Sequence, residues 1–140
     1  MSSNSQSDNT RASADEIAAM NSLRHGLLSL HKTLLDAERL RYEREHGRME
    51  GGGQMLQLLA FDPEFAWLRV ISALIVQIDE RLDDKEQPFT SADAVKLRAE
   101  ARGLLVGKDG GDEFQTCYNR ALQSSPDAVI AQSRVTRSLV

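Results

Sequence analysis

The chain has 140 residues, a length that suits one folded domain and is short for two. Hydrophobic residues make up 41% and charged residues 27%, as in globular chains that bury a core. The 17 Lys and Arg are outnumbered by 21 Asp and Glu, and the net charge is −4. Nucleic acid is therefore not expected as a partner, because phosphate binding needs a basic excess. One cysteine, Cys117, excludes an internal disulfide and a Cys-rich zinc framework.

The first 13 residues are rich in Ser and Asn and contain no apolar run. This composition predicts a disordered tail over residues 1–13, rather than a secretory signal, and a helical domain over residues 14–140. The most apolar stretch, residues 67–78, is too short for a membrane-spanning helix, so no membrane partner is expected. A lone cysteine without a signal peptide favours a cytoplasmic localisation.

A long first helix is predicted between a cap at Ser13 or Asp15 and a terminating glycine, Gly47. Gly26 within it predicts a close crossing with another helix or a bend. Apolar residues recur at spacings of three and four, which is typical of a helix face that packs on a partner. This face, called the α1 seam below, consists of Met20, Leu23, Leu27, Leu30 and Leu34.

A connector and a central helix follow. Residues 51–53 are glycines and predict a flexible connector without the context of a phosphate-binding loop. A short apolar helix is predicted over residues 54–60. The triplet Asp62-Pro63-Glu64 then predicts the start of a helix reaching about Asp83, with a capping residue, an N1 proline and a first-turn acid. Apolar residues cover most of its circumference, which predicts a buried central helix.

Three shorter helices are predicted in the remaining sequence. Thr90 with Asp93 resembles a capping box and predicts a helix that ends near Gly107. The next helix has one apolar face, and the triplet at residues 125–127 repeats the cap–proline–acid pattern. The fold class predicted is all-α, a single-domain bundle of five or six helices with one long N-terminal helix and a central buried helix.

Polar residues interrupt the apolar faces at one level of the bundle. Beyond Leu35 the sector that continues the α1 seam holds charged and polar residues, and one histidine lies among the leucines. Three interpretations are open: a solvated charged helix end, a buried network such as Arg41 with Asp79, or a ligand cleft. The candidate residues for that cleft or network are His31, Glu38, Arg41, Tyr42 and Asp79.

Catalytic and metal chemistry have weak support in the sequence. Glu43 and His46 have the Glu-x-x-His spacing of di-iron helical proteins, but such a site needs two of these motifs. Cys117 lies on an apolar face, where an inert buried thiol is expected. No catalytic residue, metal site or cofactor is therefore predicted.

Two sets of residues bear on partners. Trp67 and Leu40 lie off the main apolar faces, so either a further copy of the chain or a further helix is expected to cover them. Three arginines in the C-terminal part, Arg120, Arg134 and Arg137, are too few for a convincing nucleic-acid surface.

Three runs, namely Phe65-Ala66-Trp67-Leu68-Arg69, Ile78-Asp79-Glu80 and Ser125-Pro126-Asp127, resemble those of a group of small uncharacterised bacterial helical proteins. The resemblance covers about residues 27–139 and implies a bacterial helical protein. The group has no assigned function, so it transfers no site residue. The function predicted is a non-enzymatic interaction or regulatory helical module with a protein partner or as a homo-oligomer. The alternative is a small-molecule or metal-binding helical protein that uses the polar sector of the first helix.

Overall fold

A computed structural model describes residues 10–139, and it confirms the predicted all-α fold class. Within this range the chain is 80% helical and contains no β-strand. The elements are α1 (Ala14–His46), α2 (Gly51–Phe61), a one-turn 3-10 helix (Pro63–Phe65), α3 (Leu68–Asp83), α4 (Ser91–Leu105), α5 (Gly111–Ser124) and α6 (Pro126–Arg137).

The long helix α1 begins and ends where local capping signals predict. The Ser13 hydroxyl accepts a hydrogen bond from the Glu16 backbone N–H at 3.1 Å, and the Ser13 N–H donates to the Glu16 carboxylate at 2.9 Å. This reciprocal pair satisfies two backbone donors at the helix start. At the other end Gly47 adopts a φ of 88°, a conformation that favours glycine and stops the helix.

Helix α1 is the element around which the bundle is built. Every residue of the α1 seam is buried, and the helix packs against α3, α4, α5 and α6. At Gly26 a Cβ atom would lie 3.0 Å from Val135 Cγ2 of α6, so only glycine permits this approach without a shift. The predicted close helix crossing at Gly26 is confirmed.

The central helix differs from its prediction in two respects. The Asp62 side chain does accept a bond from the Glu64 N–H at 2.8 Å, but it caps the 3-10 helix, and α3 itself begins only at Leu68. Its apolar residues are not all covered, because α1 and α4 pack on one side of α3 and leave Val70 and Val76 exposed. The buried face consists of Leu68, Ile71, Leu74, Ile75 and Ile78.

The predicted glycine connector is also wrong, since residues 51–53 form the first turn of α2. Glycine is a poor helix former, so tertiary packing has to hold this turn. That packing comes from the partly buried side chains Met55, Leu58 and Leu59, which contact the core from one side of the helix.

The C-terminal helices follow the predicted capping pattern. The Asp93 N–H donates to the Thr90 hydroxyl at 3.1 Å, and the Thr90 N–H donates to the Asp93 carboxylate at 3.0 Å. The Ser125 hydroxyl accepts from the Ala128 N–H at 3.1 Å at the start of α6. The buried residues of α4 are Ala94, Leu97, Ala101, Leu104 and Leu105.

Part of the predicted tail is held against the loop before α4. The Ala12 N–H donates to the Phe89 carbonyl and the Ser91 N–H to the Thr10 carbonyl, each at 2.8 Å. Residues 1–9 of the predicted tail lie outside the described residues. Among the described helices, none has the length and apolar character that crossing a bilayer requires.

Candidate functional site

The α1 seam continues into a buried carboxylate. Glu38 follows Leu34 on the same helix face, and only 3% of it is exposed. Its Oε1 accepts hydrogen bonds from Trp67 Nε1 at 2.8 Å and from Arg120 Nη2 at 3.0 Å. Its Oε2 accepts from Arg41 Nε at 2.6 Å. These four residues are called the Glu38 network below, and they join α1, the segment before α3, and α5.

Arg41 extends the network toward the surface. Its Nη1 lies 3.3 Å from Glu45 Oε1, and its Nη2 lies 3.5 Å from Glu64 Oε1. The hydrogen bond to Glu38 raises the pKa of the Arg41 guanidinium, and the charges of the three carboxylates add to this effect. All three guanidinium nitrogens therefore have carboxylate partners from the chain itself.

The contacts of Glu38 and Asp79 distinguish between the three interpretations of the charged end of α1. Three donors surround Glu38, and two of them are cationic, which offsets the cost of desolvating its charge. A fully solvated helix end is thus wrong for Glu38. The predicted pair of Arg41 with Asp79 is also wrong, because Asp79 Oδ1 accepts from Arg24 Nη1 at 3.0 Å.

The structure does not bring the five predicted candidates together as one site. Glu38 and Arg41 are in contact, whereas Asp79 has its own partner, Arg24. Tyr42 lies beside the network, with its ring 5.6 Å from that of Phe65. Within residues 10–139, His31 Nε2 is buried without a hydrogen-bond partner, and desolvation lowers the pKa of His31.

A second cluster lies at the exposed end of α1. One ligand atom from each of Glu45, His46 and Glu64 lies within 4.8 Å of the others, and the Tyr42 ring lies 4.3 Å from the His46 ring. These three are metal-ligand types. The Arg41 guanidinium already contacts both carboxylates, and its positive charge disfavours a cation there.

The Glu-x-x-His spacing pairs Glu43 with His46, but in the structure the carboxylate of Glu64 lies beside His46. Glu43 Oε2 accepts from the backbone N–H of Met49 at 2.9 Å, and its other oxygen lies 3.7 Å from Arg39 Nε. His46 Nε2 instead lies 3.3 Å from Glu64 Oε2. Glu64 comes from the 3-10 helix, so no spacing rule within α1 could have identified it.

The nucleophilic side chains are in unreactive surroundings. Burial raises the pKa of the Cys117 thiol, which keeps it protonated at neutral pH. Burial also raises the pKa of Tyr118 to about 12, and its ring stacks on Phe114 at 5.3 Å. Both groups act as packing residues of α5.

The residues considered as contacts for a partner differ in their burial and in their contacts within the chain. Trp67 is buried, and its ring lies 6.0 Å from that of Phe114. Helix α5 therefore covers it, as expected for cover by a further helix. Arg120 belongs to the Glu38 network and is thereby removed from the C-terminal arginine set. Leu40 remains exposed.

The surface feature that sequence reasoning missed is the outward side of α2. Leu56 is 69% exposed and Phe61 is 82% exposed, the largest exposed fractions of any large apolar side chain in residues 10–139. None of the 11 residues of α2 carries a charge. The sequence signal was present, because Leu58, two residues after Leu56, lies on nearly the opposite side of the helix and packs on the core.

Comparisons with known proteins found no matching family model, no matching curated protein and no matching solved structure. The resemblance to small bacterial helical proteins and the cytoplasmic localisation therefore stay predictions.

Proposed function

We propose that the protein is a non-enzymatic interaction module that docks through the outward side of α2. The observation that carries this proposal is the exposure of Leu56 and Phe61 on a helix without any charge. The surface formed by residues 53, 56, 60 and 61 is called the α2 face below.

The free energy of burying apolar side chains favours a partner on this face. Burying a leucine or phenylalanine side chain stabilises by about 1.5–3 kcal/mol relative to leaving it in water. Single exposed apolar residues are normal on protein surfaces. Val95 of α4 is an example, and its neighbour in the chain, Lys96, is charged. The α2 face differs because its two large side chains are separated by uncharged residues only.

A groove beside α2 enlarges the available surface. Its volume is about 430 Å³, and its walls are made by α2 and the start of the 3-10 helix. Phe61, Leu58 and Pro63 provide apolar area, and Gln54, Gln57 and Asp62 provide polar groups. Protein–protein interfaces combine apolar and polar area in the same way.

The polar residues of the bundle support the non-enzymatic part of the proposal. A catalytic carboxylate or guanidinium has to be available to a substrate. The Glu38 carboxylate and the Arg41 guanidinium are bound to other side chains of the chain on both oxygens and on all nitrogens. Their arrangement fits a network that fixes α1, α3 and α5 relative to one another.

A photo-crosslinking residue at position 56 tests the proposal in the protein's native host. Position 95 is the matched control, because Val95 is 68% exposed and Leu56 is 69% exposed. We expect a discrete protein adduct from position 56, none from position 95, and loss of the adduct when Phe61→Ser is added. Equal labelling at both positions, or no adduct at 56, would contradict the proposal.

The alternative function, a small-molecule or metal-binding protein, has one supporting observation, the cluster of Glu45, His46 and Glu64. Titration of the purified chain with Zn²⁺ and with Mn²⁺ tests it. Because Arg41 holds both carboxylates, we expect no saturable binding near one equivalent. Saturable binding lost in His46→Ala would favour the alternative.

A further inference from the structure

We infer that the partner of the α2 face is a second copy of this chain, with the two α2 helices antiparallel about a twofold axis. This inference rests on the proposed function and names its partner. Leu56 is the middle residue of the helix, which runs from Gly51 to Phe61. In this arrangement the two Leu56 side chains meet at the axis, and each end of one helix lies beside the opposite end of the other.

The shape of α2 is complementary to itself in that arrangement. A twofold interface uses the same patch on both copies, so the patch has to fit its own reverse. Phe61 projects from the C-terminal end of α2. At the N-terminal end, apart from the adjoining residues and backbone of the helix itself, no described atom lies within 4 Å of the Cβ positions of residues 51–53. Each Phe61 can therefore lie over the partner copy's glycine turn.

Charges at the ends of the helix select the antiparallel direction. Glu50 is exposed at the N-cap position of α2. Arg69 is exposed at the other end, where its Nη1 donates to the carbonyls of Leu59 and Ala60 at 2.9 and 3.0 Å. Antiparallel packing brings each Glu50 to the partner copy's Arg69, whereas parallel packing would place like charges together.

The size of the surface sets the strength of the association. A helix of 11 residues is about 16 Å long, and a pair of such helices buries less than the roughly 1,200 Å² typical of stable complexes. The dimer is therefore a reversible one that forms in the micromolar range and above. In a reversible dimer the α2 face is alternately covered by the second copy and exposed to solvent.

Sedimentation velocity of the full chain over a concentration series tests the inference. We expect the sedimentation coefficient to rise from the monomer toward the dimer value between about 1 and 500 μM. Phe61→Ser is expected to hold the chain at the monomer value over that range. Val95→Ser, which changes a side chain of matched exposure on α4, is expected to sediment as the wild type does.

A glycine substitution separates this geometry from general adhesiveness. Gly53 has an ordinary negative φ, open space around its Cβ position and a place on the α2 face. Gly53→Leu adds apolar surface and helix propensity, yet it holds the two helices apart. We expect a monomer. Stronger association in Gly53→Leu would overturn the antiparallel packing.

A charge exchange tests the direction of packing. Glu50→Arg alone and Arg69→Glu alone each place two like-charged pairs in the proposed dimer. We expect roughly tenfold weaker association for each, because exposed ion pairs have modest energies. An equimolar mixture of the two variants restores both opposite-charge pairs and is expected to associate as the wild type does. A mixture as weak as its components would overturn the direction.

The failure of this inference is distinguishable from failure of the proposed function. A wild-type chain that stays monomeric at about 500 μM overturns the second copy as partner. If position 56 still gives an adduct to a different protein in the native host, the proposed function stands. If the chain dimerises equally well with Phe61→Ser and with Gly53→Leu, the contact lies on another face and the inference is wrong.

Discussion

Two neighbouring regions of this protein reverse the usual distribution of polar and apolar residues. Glu38 places a carboxylate where the α1 seam calls for a leucine, and it is buried. A short distance along the chain, α2 places Leu56 and Phe61 in water. The first region puts charge inside the bundle and the second puts apolar surface outside it.

The two regions differ in whether the chain itself supplies what each residue needs. Glu38 receives hydrogen bonds from Trp67, Arg120 and Arg41, so the bundle compensates its burial. The α2 face has no compensating cover among residues 10–139. Glu38 is fully partnered within the bundle, whereas the uncovered α2 face is the surface that we propose for binding.

The largest effect that sharpens this comparison is expected from Glu38→Ala. It leaves the indole N–H of buried Trp67 and two partly exposed arginines without their shared acceptor. We expect the free energy of unfolding to fall by about 3–5 kcal/mol, measured by urea denaturation. The matched control is Glu45→Ala, which removes an exposed partner of Arg41 and is expected to cost less than about 1 kcal/mol. Equal losses would show that the Glu38 network does not stabilise the bundle.

A smaller loss is expected from Trp67→Phe. The substitution keeps an aromatic ring beside Phe114 and removes the donor to Glu38 Oε1, which retains its bond from Arg120. We expect a decrease of about 1.5–3 kcal/mol, as for other hydrogen bonds to charged groups. Urea denaturation followed by circular dichroism measures it, since Trp67 is the one tryptophan of the chain. An unchanged midpoint would mean that the indole serves packing alone.

A pH-dependent effect is expected from His31, a partly buried residue whose Nε2 atom is buried without a hydrogen-bond partner among residues 10–139. Its pKa is lowered by desolvation, so the unfolded chain binds a proton near pH 6.5 that the folded chain rejects. The free energy of unfolding therefore falls as pH drops below 6.5, by at most about 1.4 kcal/mol per pH unit from this group.

His31→Leu tests that assignment. The variant is expected to lose this part of the slope between pH 6.5 and the lowered pKa, measured by urea denaturation at a series of pH values. Other carboxyl and imidazole groups contribute equally to both proteins. Parallel stability curves for wild type and variant would contradict it.

The smallest effect on stability is expected in α2. Leu56→Ser and Phe61→Ser change side chains that already lie in water, so the dilute monomer is expected to lose less than about 0.5 kcal/mol. Leu34→Ala, which empties a fully buried position of the α1 seam, is expected to cost about 2–5 kcal/mol and provides the contrast. A loss of several kcal/mol in Phe61→Ser would place Phe61 in the core and remove the α2 face.

The parts of the fold that sequence predicted well depend on local signals. The capping boxes at Ser13 and Thr90 and the α1 seam need only residues three or four positions apart. The helical class and the close approach at Gly26 follow from the same kind of pattern. The exposure of Val70 and Val76 on α3 could not be predicted, because the number of neighbouring helices is a property of the whole bundle.

The candidate site was predicted only in part, for the same physical reason. Glu38 and Arg41 were identified by their place on the apolar sector. The donors Trp67 and Arg120 lie 29 and 82 residues away from Glu38, beyond the reach of helix periodicity. The sequence predicted a connector at residues 51–53 because glycine has a low helix propensity. The helix forms there because Met55, Leu58 and Leu59 pack on the core, and helix propensity does not include such tertiary contacts.

The most direct test of the central claim compares crosslinking from positions 56 and 95 in the native host. These positions have nearly the same exposure, on α2 and on α4, so the comparison isolates the α2 face from exposure itself. We expect a discrete adduct from position 56 alone, and we expect it to disappear with Phe61→Ser. Adducts of equal yield from both positions, or none from position 56, would contradict it.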